Sequence, residues 1–327
     1  MKRKVSLLVS LLVGLMVLLA ACGGTDSAST SGAGGAAATG AAPAAAVEEL
    51  TIKHQLGEAK VKKNPKKVVV FDYGALDSLD KLGVEVTGVV QQSLPAYLAK
   101  YKDKKYQNIG TLQEPDYEKL SSIQPDLILI SGRQQTAYPE LSKLAPTVYV
   151  GVDTKRYMDS FKENMKLLGQ IFGKEAAVET ELAAIEKSVK DVQAKAAASN
   201  KNALIILANE GAISAFGTGS RFGLIHDVLG VPAVDKSIQV TTHGQSISFE
   251  FIAEKNPDYL FVVDRNAVVA STAQANAKSL VENELVKKTK AAANGGIVYL
   301  DPSYWYSSGG GLVSVAAMID EVAKALK

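Results

Sequence analysis

The chain has 327 residues, and its 36 Lys and Arg against 34 Asp and Glu leave a formal net charge of +2. That near-balance carries no electrostatic footprint for nucleic acid. A single cysteine excludes internal disulfides and cysteine-built metal centres, and beyond the N-terminal segment no apolar run is long enough to span a membrane.

Lys2, Arg3 and Lys4 open the chain and precede an uncharged, mostly apolar run that ends in Leu19-Ala20-Ala21-Cys22. Basic start, apolar stretch and small residues before a cleavage point make the pattern of a secretory signal over residues 1–21. The Leu-Ala-Ala-Cys ending resembles a bacterial lipobox, which implies that Cys22 is lipidated and becomes the first mature residue. The alternative, a short uncleaved anchor, has a run below the roughly 20 apolar residues that a span needs. Removing the three basic residues takes the formal charge from +2 to −1. Residues 22–46 are almost all Ala, Gly, Ser and Thr after the cysteine. Such a segment cannot bury enough apolar area to offset its ordering entropy, so a tether reaching roughly 25–30 Å is expected.

Residues 47–173 alternate short β-branched runs with amphipathic ones. Lys67–Phe71, Leu127–Ile130 and Val148–Val150 read as strands; Leu76–Leu82, Tyr117–Ile123 and Met158–Phe172 read as helices. Residues 174–199 follow Gly173, a helix-closing glycine, and are rich in Ala, Glu and Lys without internal Gly or Pro. These are strong helix formers, and a helix of that length is a rod of about 39 Å. Residues 200–327 resume the alternation, with strands at Ala203–Leu207, Leu260–Val263 and Ile297–Leu300, a helix at Glu250–Lys255 and another over Phe222–Leu229. The whole predicts an α/β fold: two lobes with mainly parallel sheets, bridged by one long helix.

The two lobes repeat one another. DYEKLSSIQPDLILISGR (116–133) aligns with SFEFIAEKNPDYLFVVDR (248–265), so that Pro125-Asp126 meets Pro257-Asp258 and Arg133 meets Arg265. DKLGV (80–84) matches DVLGV (227–231), and TVYV (147–150) echoes IVYL (297–300), in the same order. In open α/β sheets the ligand crevice lies outside the carboxyl ends of the strands. Arg133 and Arg265 both end strands, and Arg221 follows a Gly-rich turn, so all three are candidates for one cleft. The bland alternative for each is a surface charge or a local ion pair, with Asp264 as the neighbour for Arg265.

Lipobox, tether, lobe repeat and connecting helix together resemble the class III substrate-binding proteins of ABC transporters, in which the ligand sits between two lobes joined by a helix. Within that class the chain is similar to ferric-siderophore-binding lipoproteins of the enterobactin and petrobactin type. The segments that carry this are SGR (131–133), GTGSRFG (217–223), THGQS (242–246), VVDR (262–265) and DPSYWYSSGGG (301–311). The resemblance implies capture of a ferric siderophore, catecholate or mixed catecholate–carboxylate, for delivery to an ABC permease. It implies a monomer lipid-anchored on the extracytoplasmic face, no intrinsic cofactor, and iron present only within the ligand.

The chemistry agrees with that implication. Ferric iron with three catecholate dianions carries three negative charges, and guanidinium stays charged while its fork of donors suits phenolate oxygens. The resemblance assigns ligand contacts to Arg133, Arg221 and Arg265. It also lets His243 and a tyrosine, Tyr304 in preference to Tyr306, face the iron directly. A strand-to-loop exit at 301–311 would place Tyr304 and Tyr306 on one side and Trp305 on the other, with one side lining the cleft; a core cluster is the alternative. His54 and His226 read as structural. No nucleophile–base pairing and no phosphate or dinucleotide loop is evident, and Asp72 stands as a lone acid after the first strand. Two other readings stay open: the same fold binding haem, cobalamin or another chelate, and an extracellular enzyme acting on a small anion.

Overall fold

The computed structural model describes residues 48–269 and 276–326. The signal segment, Cys22 and the tether lie outside the described residues. Among these residues no helix is long and apolar enough to cross a membrane.

The N lobe begins with an antiparallel hairpin, β1 (Glu49–His54) and β2 (Gly57–Lys62). Its sheet comprises β3 (Val68–Val70), β4 (Gly88–Val89), β5 (Gln107–Asn108), β6 (Leu127–Ile130) and β7 (Thr147–Tyr149), in the order β5-β4-β3-β6-β7. Every pairing in it is parallel. Helices α1 (Tyr73–Lys81), α2 (Tyr117–Ile123), α3 (Tyr138–Leu144) and α4 (Tyr157–Phe172) complete the lobe. All residues of β3 and β6 are buried, as expected for strands covered on both faces.

The C lobe carries β8 (Ala203–Asn209), β9 (Ala212–Phe216), β10 (Gln245–Ile247), β11 (Tyr259–Asp264) and β12 (Ile297–Leu300), ordered β10-β9-β8-β11-β12. β8, β11 and β12 are parallel, but β9 runs antiparallel to both of its neighbours. Its helices are α6 (Phe249–Lys255), α7 (Asn266–Val269), α8 (Ala277–Val281), α9 (Lys290–Ala293) and α10 (Leu312–Ala325). The β8–β9 link is a two-residue turn in which Glu210 (φ 51°) and Gly211 (φ 83°) both take positive φ, the requirement of a tight hairpin whose twist matches its strands.

The sequence repeat is a repeat of local devices. Asp116 caps α2 by accepting from Lys119 N, and Ser248 caps α6 by accepting from Phe251 N. Both helices close on a left-handed residue, Gln124 (φ 51°) and Asn256 (φ 46°). Asp126 then accepts from the backbone N–H groups of Lys66 and Lys67 at 3.0 and 2.9 Å. Asp258 likewise accepts from Asn202 N at 3.0 Å. Each Pro-Asp thus ties the start of a strand to the strand beside it.

Between the lobes runs α5 (Glu175–Ser199), 25 residues long. Its buried residues Val178, Leu182, Ile185, Val189, Val192 and Ala196 recur at alternating steps of four and three, a single stripe. The stripe packs on α4 and α10. Lys81 and Lys166 pair with Glu181 and Glu179 at 3.2 and 3.3 Å on the N-lobe side. Gln193 and Lys195 donate to the carbonyls of Val228 and Ala323 at 2.7 and 3.2 Å on the other.

The C-terminal helix α10 starts against α1 of the N lobe. Asp77 of α1 accepts from Val313 N and Ser314 N at 3.2 and 3.1 Å, and Ser78 Oγ accepts from Leu312 N at 2.9 Å. A carboxyl at the positive end of a helix is favourably placed, yet burial pushes the Asp77 carboxyl up to about 7 against those donors. Gly311 is required here, because a Cβ would collide with Asp77 and with the Gly74 carbonyl.

Candidate functional site

A cavity of about 690 Å³ opens where the carboxyl ends of the N-lobe strands meet the C-lobe turn at 220–221, the loop at 240–242 and the segment 305–310. The segment 301–311 enters as a wide π-helical turn over Ser303–Ser308, not as a strand exit. In such a turn, residues two apart point in different directions, whereas in a strand they share a face. Tyr304 and Tyr306 therefore part company, and the expected alternation fails.

Tyr306 is where the three candidate arginines meet. Arg133, in the 3-10 segment Gly132–Ala137 after β6, donates from Nη2 to the Tyr306 carbonyl at 3.0 Å and from Nη1 to the Ser307 carbonyl at 3.4 Å. Arg221 donates from Nη2 to the same Tyr306 carbonyl at 3.0 Å, and its guanidinium lies 4.5 Å from the centre of the Tyr306 ring. Arg265, directly after β11, donates from Nε to the Tyr306 hydroxyl at 2.9 Å. The structure thus brings together one arginine of the N lobe and two of the C lobe.

These cations are unequally compensated. Arg265 also donates to Asn209 Oδ1 at 2.6 Å and lies 3.7 Å from Glu210. Asp264 is not its partner: that carboxylate accepts from Asn266 N and Ala277 N at 3.0 and 2.8 Å. Arg133 and Arg221 meet backbone carbonyls, and Arg221 packs on aromatic rings. Burial foremost, then the Arg133 charge and to a smaller degree Arg265, pull the Arg221 guanidinium below its ordinary value, opposed by Tyr306. A half-buried cation beside two others is a site that gains from an incoming anion.

The remaining expected residues scatter. Trp305 is 2% exposed, lines the cavity, and donates from Nε1 to Glu321 at 2.6 Å. Tyr304 packs on the Tyr97 ring at 4.8 Å, outside the arginine group. His243 is exposed, and the loop presents Val240, Thr241 and Thr242 to the cavity in its place. The expected helix over Phe222–Leu229 is a π-helical turn, Leu224–Val228, from which the His226 ring packs inward with Nδ1 2.8 Å from the Val231 carbonyl. His54 Nδ1 accepts from Leu56 N at 3.3 Å.

Sequence reasoning missed the N-lobe wall: Ser131, Tyr149 and Tyr157 line the cavity with Asp72. Asp72 and Ser131 carried one readable signal, their place just past the ends of strands β3 and β6. Tyr157 donates to the Gly309 carbonyl at 2.6 Å and so holds the glycine turn that leads into α10. Burial raises the Asp72 carboxyl above its ordinary value, opposed by hydrogen bonds from Ala75 N and Ser131 and by the Arg133 charge.

Two α/β lobes on one helical spacer, with cations from both lobes turned into the cavity between them, define a solute-binding protein. The chain belongs to the periplasmic binding protein family, whose sequence signature matches residues 68–304. It is 49% identical to the petrobactin-binding protein YclQ of Bacillus subtilis over 100% of both chains. The crystal structure of that protein superposes with a TM-score of 0.83, covering 86% of this chain and 99% of that one at 53% identity. The chain is 36% identical to the ferric-anguibactin-binding protein FatB of Vibrio anguillarum, over 84% of this chain and 87% of that one. The catecholate-siderophore-binding protein VctP of Vibrio cholerae superposes with a TM-score of 0.81 at 36% identity, covering 85% and 100%.

Proposed function

We propose that this chain is an extracytoplasmic solute-binding lipoprotein that captures a ferric siderophore, of catecholate or mixed catecholate–carboxylate type, and hands it to an ABC permease for iron uptake. One observation carries the reading. Arg133, Arg221 and Arg265 converge from both lobes on Tyr306 beside a cavity of about 690 Å³. A ferric tris-catecholate carries three negative charges on oxygens that suit guanidinium forks. It displaces the Tyr306 carbonyl as acceptor and supplies negative charge to Arg133 and Arg221, whose hydrogen-bond partners here are neutral carbonyls, and to Arg265 beside Glu210.

Binding, not turnover, follows from this arrangement: the cavity orients and neutralises its guest. Iron enters as part of the ligand. Direct ferric contact by His243 or Tyr304 requires rearrangement of the 240–244 loop and of the Tyr97 contact. Lipid on Cys22 holds the protein at the membrane as a monomer, next to the permease, and nucleic acid has no part. The relatives named for petrobactin, for ferric anguibactin and for catecholate siderophores support the same ligand class.

Trp305 is the chain's one tryptophan and lines the cavity. Its fluorescence should be quenched by submicromolar ferric catecholate, with weaker responses to ferric hydroxamate and haem. Tight binding confined to hydroxamate or haem would overturn the assignment.

A further inference from the structure

The arginines account for the charge of an incoming chelate but not for its carbon. A guanidinium meets the oxygens of a ferric carboxylate as readily as those of a ferric catecholate. What separates the two classes is the aromatic ring, and a ring gains from apolar surface. Several apolar groups around the cavity have little to offer. Trp305, Val150 and Tyr149 line it but are 2%, 4% and 7% exposed, already covered by the protein. Val240 differs. It lines the same cavity, and at 55% it is the most exposed large apolar side chain among the described residues.

The fold holds Val240 in that position. The loop that leads into β10 closes on itself: Gln239 N donates to Gln245 Oε1 and Thr241 Oγ1 to the Gly244 carbonyl, each at 2.8 Å, and Gly244 N donates back to the Thr241 carbonyl at 3.3 Å. Gly244 (φ 77°) lies so close to the Phe216 ring that a Cβ there would collide with it. Buried Ile238 packs against Gly217 on the other side of Val240. Val240 itself stands over the Gly-rich turn that carries Arg221, with Cγ2 3.9 Å from where a Cβ on Gly219 would lie. A valine held out on a closed loop leaves apolar area in water that a guest can cover. Its place over the Arg221 turn suits a guest whose oxygens take Arg221 and whose carbon face then lies against Val240.

We propose that Val240 is a specificity-determining residue: it packs on the ring face of a catecholate arm while the arginines take the oxygens, so that the cavity prefers aromatic ferric chelates to aliphatic ones of the same charge. This inference rests on the reading of the cavity as a ferric-chelate site and assigns the Val240 side of it to the catecholate arm of a mixed ligand. The competing cover is Val152 of the N lobe, which also lines the cavity; lobe closure would then bury Val240 whatever the chelate.

The test compares a ferric tricatecholamide tripod with chromium(III) trisoxalate, an octahedral trianion that has no ring. Calorimetry at several temperatures on the tethered protein without its signal gives affinity and heat-capacity change together. Val240→Thr keeps the shape of the side chain and removes apolar surface. It should lower the preference for tricatecholate over trisoxalate about three- to tenfold. The heat-capacity change on binding the tricatecholate should become less negative, and Val240→Leu should keep the preference. An equal loss for both chelates, or an unchanged affinity and heat-capacity change for the tricatecholate, would overturn the ring contact while leaving the chelate reading intact. If trisoxalate binds too weakly to measure, the heat-capacity change decides. Binding of neither chelate by the unmodified protein would overturn both.

Discussion

The two lobes place an arginine at the same point of the same repeat and then treat it differently. Arg133 and Arg265 each follow the strand beside the central one, β6 next to β3 and β11 next to β8. In the N lobe the neighbouring strands are all parallel, so their carboxyl ends lead away into helices, and Arg133 reaches across to the carbonyls of Tyr306 and Ser307. In the C lobe the tight β8–β9 hairpin turns at that same end. It sets Asn209 and Glu210 against Arg265. One change of strand direction thus decides whether the cation is met within its own lobe. The lesson is that repeat-equivalent residues need not be energetically equivalent: Arg133 and Arg221 have more to gain from an anion than Arg265 has.

The lobes differ as well in what they bury. The N lobe's α1 holds Asp77, 1% exposed, under the first turn of α10. Its folded pKa of about 7 stands above the ordinary value of 3.8. The folded state therefore binds this proton more tightly than the unfolded state, and the contribution of Asp77 to stability falls as pH rises from about 4 to about 7. The slope reaches at most about 1.4 kcal/mol per pH unit. Asp77→Asn should flatten this part of the stability curve in chemical denaturation at stepped pH. An unchanged slope would show that the donors at α10 keep the carboxyl ionised throughout.

The arginine comparison is sharpened by three single variants titrated with ferric catecholate. Arg221→Ala should cost most, about 3 kcal/mol, because it removes a half-buried cation and a charge-assisted contact together. Arg133→Ala should follow at about 2 kcal/mol, and Arg265→Ala at about 1 kcal/mol, since Asn209 and Glu210 already compensate that charge. A loss for Arg265→Ala equal to that for Arg133→Ala would break the asymmetry. The smallest effect is expected from Glu210→Gln. That carboxylate is 65% exposed, and freeing Arg265 from it should tighten binding by only a few tenths of a kcal/mol. A weakening would mean that Glu210 positions Arg265 for the ligand.

Much of the scaffold was legible in the chain. The connecting helix announced itself by composition. The repeat announced itself through Pro125-Asp126 and Pro257-Asp258, whose carboxylates each secure a strand start. The two-residue strands β4 and β5 left no periodic signal, because two residues define no alternation. The Asn209-Glu210-Gly211 hairpin lacks the Asn-Gly or Asp-Gly pair that marks such turns most strongly. For the site, strand ends pointed to Arg133 and Arg265. The hub at Tyr306 was hidden by the π-helical turn, which sends Tyr304 to Tyr97 and Tyr306 to the arginines. Asp72 and Tyr149 come together through the strand order β3-β6-β7, a tertiary fact that their distance along the chain does not display.

The central claim is that cations from both lobes grip one anionic chelate, and a crystal structure of the ferric catecholate complex tests it most directly. The account predicts Arg133, Arg221 and Arg265 each within about 3 Å of oxygens of the same bound complex, with Arg133 and Arg221 released from the Tyr306 carbonyl. A complex seated elsewhere, with all three arginines still on Tyr306, would contradict it.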